Sequence, residues 1–119
     1  MAVLRSSIEL LQPYDAFKPF SFTTSSSSAE TVLTVSSFMT EANKITLIVD
    51  KADLYINFGG TATTDGTSML VPAGTGYTEE GIQITGSISV IRSDQSMNGR
   101  IIGAIWGRDK SVSRIIPDV

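Results

Sequence analysis

Lys44-Ile45-Thr46-Leu47-Ile48-Val49, continued across Asp50-Lys51-Ala52-Asp53 by Leu54-Tyr55-Ile56-Asn57-Phe58, is the stretch whose reading decides the fold. In the second run Leu54, Ile56 and Phe58 share one face while Tyr55 and Asn57 share the other, and a period of two marks a half-buried strand. From Lys44 to Trp106 the chain repeats this theme, with short alternating segments broken by Gly, Asp-Gly and Pro-Ala-Gly turns.

Upstream, Thr31–Val35 reads as a strand, and Pro19–Thr24 as the first strand with Phe20 and Phe22 inward. The serines Ser25–Ser28 are too small and polar to pack and form a loop. Phe38–Asn43 reads as a connection with two buried anchors. Downstream, Gly59-Gly60 ends a strand and Asp65-Gly66 sits at a turn in the loop Thr61–Thr67. Ser68–Val71 is a short strand whose following Pro72 suits a strand end or a sheet edge. Gly81–Thr85 and Ser87–Arg92 flank an expected bend at Gly86. The loop Asp94–Gly99 closes on Asn98-Gly99, a pair that readily takes positive φ, before the last strand Arg100–Trp106.

About eight strands at roughly 8–12-residue spacing make an antiparallel β-sandwich or barrel. No helical period intervenes, so a parallel βαβ architecture is disfavoured. The expected core is Phe22, Leu33, Val35, Ile45, Leu47, Leu54, Ile56, Phe58, Ile82, Ile84, Ile88 and Val90. The expected organisation is an extended N-terminal arm over 1–19, a β-sandwich domain over 20–106 and a C-terminal tail over 107–119. Leu4, Ile8, Leu10, Leu11, Tyr14 and Phe17 make the arm too apolar for a solvated leader, and they are the candidate partner-binding residues. Arg108, Lys110 and Arg114 of the positive tail are weaker candidates.

At 119 residues the chain makes one domain. A net charge of −3 provides no global basic field for nucleic acid. There is no Cys, so neither a disulfide framework nor a thiolate metal site is possible. No apolar run reaches the ~18 residues of an ordinary membrane span, and the first residues lack a signal-peptide pattern. The expectation is a chain made in the cytoplasm with no nucleic-acid or membrane partner.

The absence of His removes Ser-His-Asp and Cys-His mechanisms and imidazole general bases. Glu79-Glu80 could do acid–base work, but adjacent acids on a strand point to opposite faces. Thr63–Ser68 offers one carboxylate, Asp65, where calcium needs several oxygens, so a plain Asp-Gly turn is the better reading. Trp106 beside Arg108 reads as a core or seam tryptophan in preference to a sugar shelf. No catalytic residue, metal ligand or cofactor site is expected.

Residues 31–106 resemble the small β-sandwich modules of tailed-bacteriophage virion proteins, most of all jelly-roll capsid decoration (cement) proteins. The residues that carry this are Leu54–Gly60, the Thr-rich loop with Asp65, Met69–Gly74, Gly81-Ile82 and Ser87–Ile91. The resemblance implies a jelly-roll-like sandwich and a non-enzymatic function: binding and stabilising contacts between phage major capsid proteins on the virion surface, as a homodimer or homotrimer. The competing expectation is a tail- or fibre-associated host-recognition or carbohydrate-binding module, with Tyr77 near Glu79 or Tyr55 near Asn57. A third, a cupin-like enzyme, is disfavoured because that fold usually holds its metal with His.

Overall fold

The computed structural model describes residues 14–109. Eight strands follow one another: β1 (Ala16–Thr23), β2 (Glu30–Thr34), β3 (Glu41–Asp50), β4 (Leu54–Phe58), β5 (Met69–Val71), β6 (Thr75–Ile84), β7 (Ser87–Arg92) and β8 (Arg100–Arg108). A short 3-10 turn, Val35–Ser37, lies between β2 and β3. They form two four-stranded sheets, ordered β1-β8-β3-β6 and β2-β7-β4-β5, with every pairing antiparallel.

The order has a simple logic. β4 pairs with β5, β3 with β6, β2 with β7 and β1 with β8, so the chain is one long antiparallel ribbon folded over itself. Wrapping that ribbon adds the lateral pairs β3–β8 and β4–β7. This is a jelly roll, as expected.

Alternation explains each layer. Along β3, Ile45, Leu47 and Val49 are buried between the sheets while Lys44, Thr46, Ile48 and Asp50 face out. Leu54 and Ile56 of β4, Ile88 and Val90 of β7, and Ile101 and Ile105 of β8 complete a core of almost entirely aliphatic side chains. Phe20, Phe22, Phe58 and Ile82 pack against it half-buried. Each fully buried Leu or Ile stabilises the fold by about 1.5–3 kcal/mol relative to exposure, so this set is the main favourable term in a domain without disulfides.

Four expectations are corrected. The first strand begins at Ala16, not Pro19, because Ala16 and Phe17 find partners in Gly107 and Trp106. Phe17 thereby leaves the arm and joins the sheet, and the last strand runs past Trp106 to Arg108. Of the two anchors expected in the connection after β2, Met39 is buried, but Phe38 is 44% exposed beneath the Lys18 ammonium, 4.5 Å from its ring centre. Asn98-Gly99 takes no positive φ. The Gly99 amide instead donates to the buried Thr24 hydroxyl (3.0 Å) and its carbonyl accepts from the Thr24 amide (2.9 Å).

Candidate functional site

The strand registers place four rows of side chains on the outer face of the sheet β1-β8-β3-β6. Phe17, Trp106, Lys44 and Glu80 form the first row, and Pro19, Ala104, Thr46 and Thr78 the second. Ser21, Ile102, Ile48 and Gly76 form the third, and Thr23, Arg100 and Asp50 the fourth. Phe17 and Ile48 are each 57% exposed and Ile102 is 39% exposed, so the face carries a broken apolar stripe, interrupted by the second row, that the other described residues do not cover.

Charges bracket the stripe. At one end the Lys44 ammonium lies 3.4 Å from Glu80 Oε2 and 5.0 Å from the centre of the Trp106 ring. Trp106 meets Phe17 at 5.1 Å between ring centres, tilted by 45°. The favourable geometry for such rings is tilted or offset, so the aromatic pair is fixed in place at the sheet's edge. At the other end Arg100 grips Asp50 with two bonds, Nε to Oδ1 at 2.9 Å and Nη2 to Oδ2 at 2.5 Å. That fork holds the Asp50 carboxyl below its ordinary range and raises the guanidinium above its own. Such exposed pairs contribute little to folding but orient charge.

A second feature lies over the other sheet, an open cleft of ≈ 430 Å³ bounded by Glu30, Thr31, Thr61, Ser87 and Ser89 and by Gly59-Gly60. Three of its polar side chains are already engaged. The Glu30 carboxylate accepts from the Ser25 and Ser26 amides (2.9 and 3.2 Å), Ser89 Oγ accepts from the Ala62 amide (3.0 Å), and Ser87 shares a hydrogen bond with Thr34 (3.2 Å). These bonds hold the loop amides of Ser25, Ser26 and Ala62 and tie β2 to β7.

The carboxylates singled out in the sequence are spent similarly. Asp65 Oδ1 accepts from the Thr63 and Thr67 hydroxyls (2.6 and 2.7 Å) and from the Thr67 amide (3.1 Å), which lowers its pKa to about 2. This is the closed Asp-Gly turn expected there. Glu41 accepts from Asn43 and Gln83, both at 2.8 Å, and those bonds hold its carboxyl below the usual range. Among the described residues no group of three or more His, Cys, Asp or Glu could hold a metal ion. Tyr77 does meet Glu79 (3.0 Å), but its ring packs toward Phe58 at 6.1 Å, and Asn57 spends its amide on Gly60 and Ser68. Neither pair offers an open aromatic shelf.

Of the sequence-derived partner-binding residues, Leu4, Ile8, Leu10, Leu11, Lys110 and Arg114 lie outside the described residues. Tyr14 is half-buried just before β1, Phe17 is on the outer face, and Arg108 is exposed at the end of β8. Sequence reasoning missed Ile48 and Ile102. The signal was present: Ile45 through Val49 alternates as a strand, yet places Ile48 on the face opposite Leu47.

No family model matches this sequence and no curated protein does. Among solved structures the chain is similar to a cupin_2 domain of an XRE family transcriptional regulator from Enterobacter cloacae. The identity is 19%, with 80% of this chain and 88% of that one covered and a TM-score of 0.49. That neighbour is a regulator's cupin domain and not a virion protein, and the expectations of a capsid cement protein and of a tail or fibre module are withdrawn. The residues behind that expectation have a plain structural account. Leu54–Phe58 and Met69–Val71 are the paired tip of the ribbon, and Gly59 and Gly74 turn the chain at φ +94 and +85.

Proposed function

We propose that this chain is a non-catalytic contact module that works by docking the outer face of the sheet β1-β8-β3-β6 onto a flat protein surface. The observation that carries the reading is the exposure of Ile102 and Ile48, paired across β8 and β3, and of Phe17 beside Trp106 two rows away, on a face that also bears the Lys44–Glu80 and Asp50–Arg100 pairs. Four strands at ~4.8 Å and seven residues at ~3.4 Å give this face roughly 450 Å² in projection, charged rows included. An apolar centre with a polar rim is the anatomy of a protein interface. The lack of His and Cys in the sequence, and carboxylates committed to turns and strand contacts, support a role without chemistry.

The test is photo-crosslinking in cells, with benzoylphenylalanine placed in turn at Ile48, at Ile102 and, over the cleft, at Thr61. The expected result is a protein adduct from Ile48 and Ile102, identified by mass spectrometry and lost when Phe17→Glu is added. No adduct from either face position, or adducts from Thr61 alone, overturns the reading.

A further inference from the structure

Resting on that reading, we propose that the surface on which this face docks is the same face of a second copy, related by a two-fold axis. The axis lies in the interface, parallel to the strands and midway between β8 and β3. Such a rotation places every outward residue of β8 opposite its own β3 cross-strand partner in the other copy. The registers then fix what meets what. Ile48 pairs with Ile102 within the sheet, so Ile48 of one copy lies over Ile102 of the other. Asp50 pairs with Arg100, so each carboxylate lies over the other copy's guanidinium. Lys44 pairs with Trp106, so each ammonium lies over the other copy's indole, and Thr46 lies over Ala104.

The two central strands are therefore self-complementary in all four rows: apolar on apolar, cation on carboxylate, cation on aromatic ring, small on small; at the margins β1 lies over the other copy's β6, so Phe17 meets Glu80 and Pro19 meets Thr78. Isologous interfaces require such self-complementarity. The two small side chains of the second row, Ala104 and Thr46, let the sheets approach to the usual ~10 Å. A face of roughly 450 Å² per copy would bury on the order of 900–1,000 Å² in total, the size of weak and transient interfaces, so the dimer is expected to be concentration-dependent and is to be sought in the micromolar range.

The experiment is sedimentation velocity on the full chain over about three decades of concentration around that range, with wild type, Ile48→Lys, Arg100→Asp and the exchange Asp50→Arg with Arg100→Asp. Wild type should move from monomer to dimer. Ile48→Lys, on the outer face, should keep the wild-type melting point at low concentration yet raise the dimer Kd by about tenfold or more. Arg100→Asp should weaken the dimer, and the exchange should restore it. Because the chain has no cysteine, a short bis-maleimide can report the pairing. A mixture of Ile48→Cys and Ile102→Cys chains should crosslink faster than either alone. A chain that stays monomeric throughout, a dimer indifferent to Ile48→Lys, or faster Ile48→Cys self-crosslinking overturns the second-copy proposal. A monomer whose face still yields an identified adduct to another protein in cells keeps the docking reading and gives the face a different occupant. A monomer whose face crosslinks to its own residues 1–13 overturns both.

Discussion

Replacing Gly103 by Ala should be far more costly than the same replacement at Gly59. A Cβ at Gly103 would fall on the Thr46 carbonyl oxygen, 2.9 Å from the Leu47 Cα and 3.0 Å from Cζ of Phe20. The first two are backbone atoms of β3, which is bonded on one side to β8 and on the other to β6 and cannot step aside without disturbing both ladders. Overpacking ordinarily costs about 1–3 kcal/mol, and a rigid backbone neighbour puts this case at about 3 or above. At roughly 4–8 °C per kcal/mol for a domain of this size, the melting point should fall by roughly 12–24 °C or more. At Gly59 no atom lies within 4 Å of the added carbon, and only φ +94 opposes it. That costs about 1 kcal/mol, or roughly 4–8 °C. Thermal unfolding followed by circular dichroism, at a concentration low enough to keep the chain monomeric, gives both numbers. If Gly103→Ala melts no lower than Gly59→Ala, the close approach of β8 to β3 is wrong, and with it the register on which the outer face is built.

Two further outcomes are expected. Ile56→Asp should leave no cooperative unfolding transition, because position 56 is 1% exposed among aliphatic side chains and a charge stranded there costs several kcal/mol; a folded variant with a normal melt would show that the strand's face is misassigned. Asp65 should titrate near pH 2 in carboxyl NMR spectra, since the Thr63 and Thr67 bonds favour its ionised form. Its pKa is depressed on folding, so its support for the loop is complete above the ordinary carboxylate range near 4 and fades as pH falls through about 2. Loss of amide protection at Thr67 already at pH 4 would contradict that assignment.

The fold was legible in the sequence because alternation is a local signal. Every residue of the expected core is buried or packed against the core, from Leu33 to Val90. What local pattern could not supply was partnership. Thr75–Glu80 is too polar to look like strand, and becomes one because β3 offers it hydrogen bonds from Val49 back to Lys44. Ile101 and Ile105, among the most buried residues, sit in an unbroken apolar run whose inner face shows only once β3 is beside it. The outer stripe was hidden for the same reason. Phe17, Ile48 and Ile102 are 31 and 54 positions apart along the chain and come to one face only through register. The boundary of the arm also moves, since removing residues 1–19 would take half of β1 with it.

The ribbon topology has a consequence for how the chain is made. β8 is an interior strand of its sheet, lying between β1 and β3, yet of the eight described strands it is the last to leave the ribosome. At ~5–20 residues per second the interval between the end of β3 and the start of β8 lasts roughly 3–10 s. Throughout it, one edge of β3 and all of β1 expose unpaired amides and carbonyls, the kind of template that recruits other chains. The tip pair β4–β5 can close first, β6 can then lie along β3 and β7 along β2 and β4, each step adding little loop-closure cost to the one before. Synthesis thus imposes an order of assembly from the middle of the chain toward its two ends, and a ribosome stalled before Arg100 would hold a nascent protein with half of one sheet missing its central support.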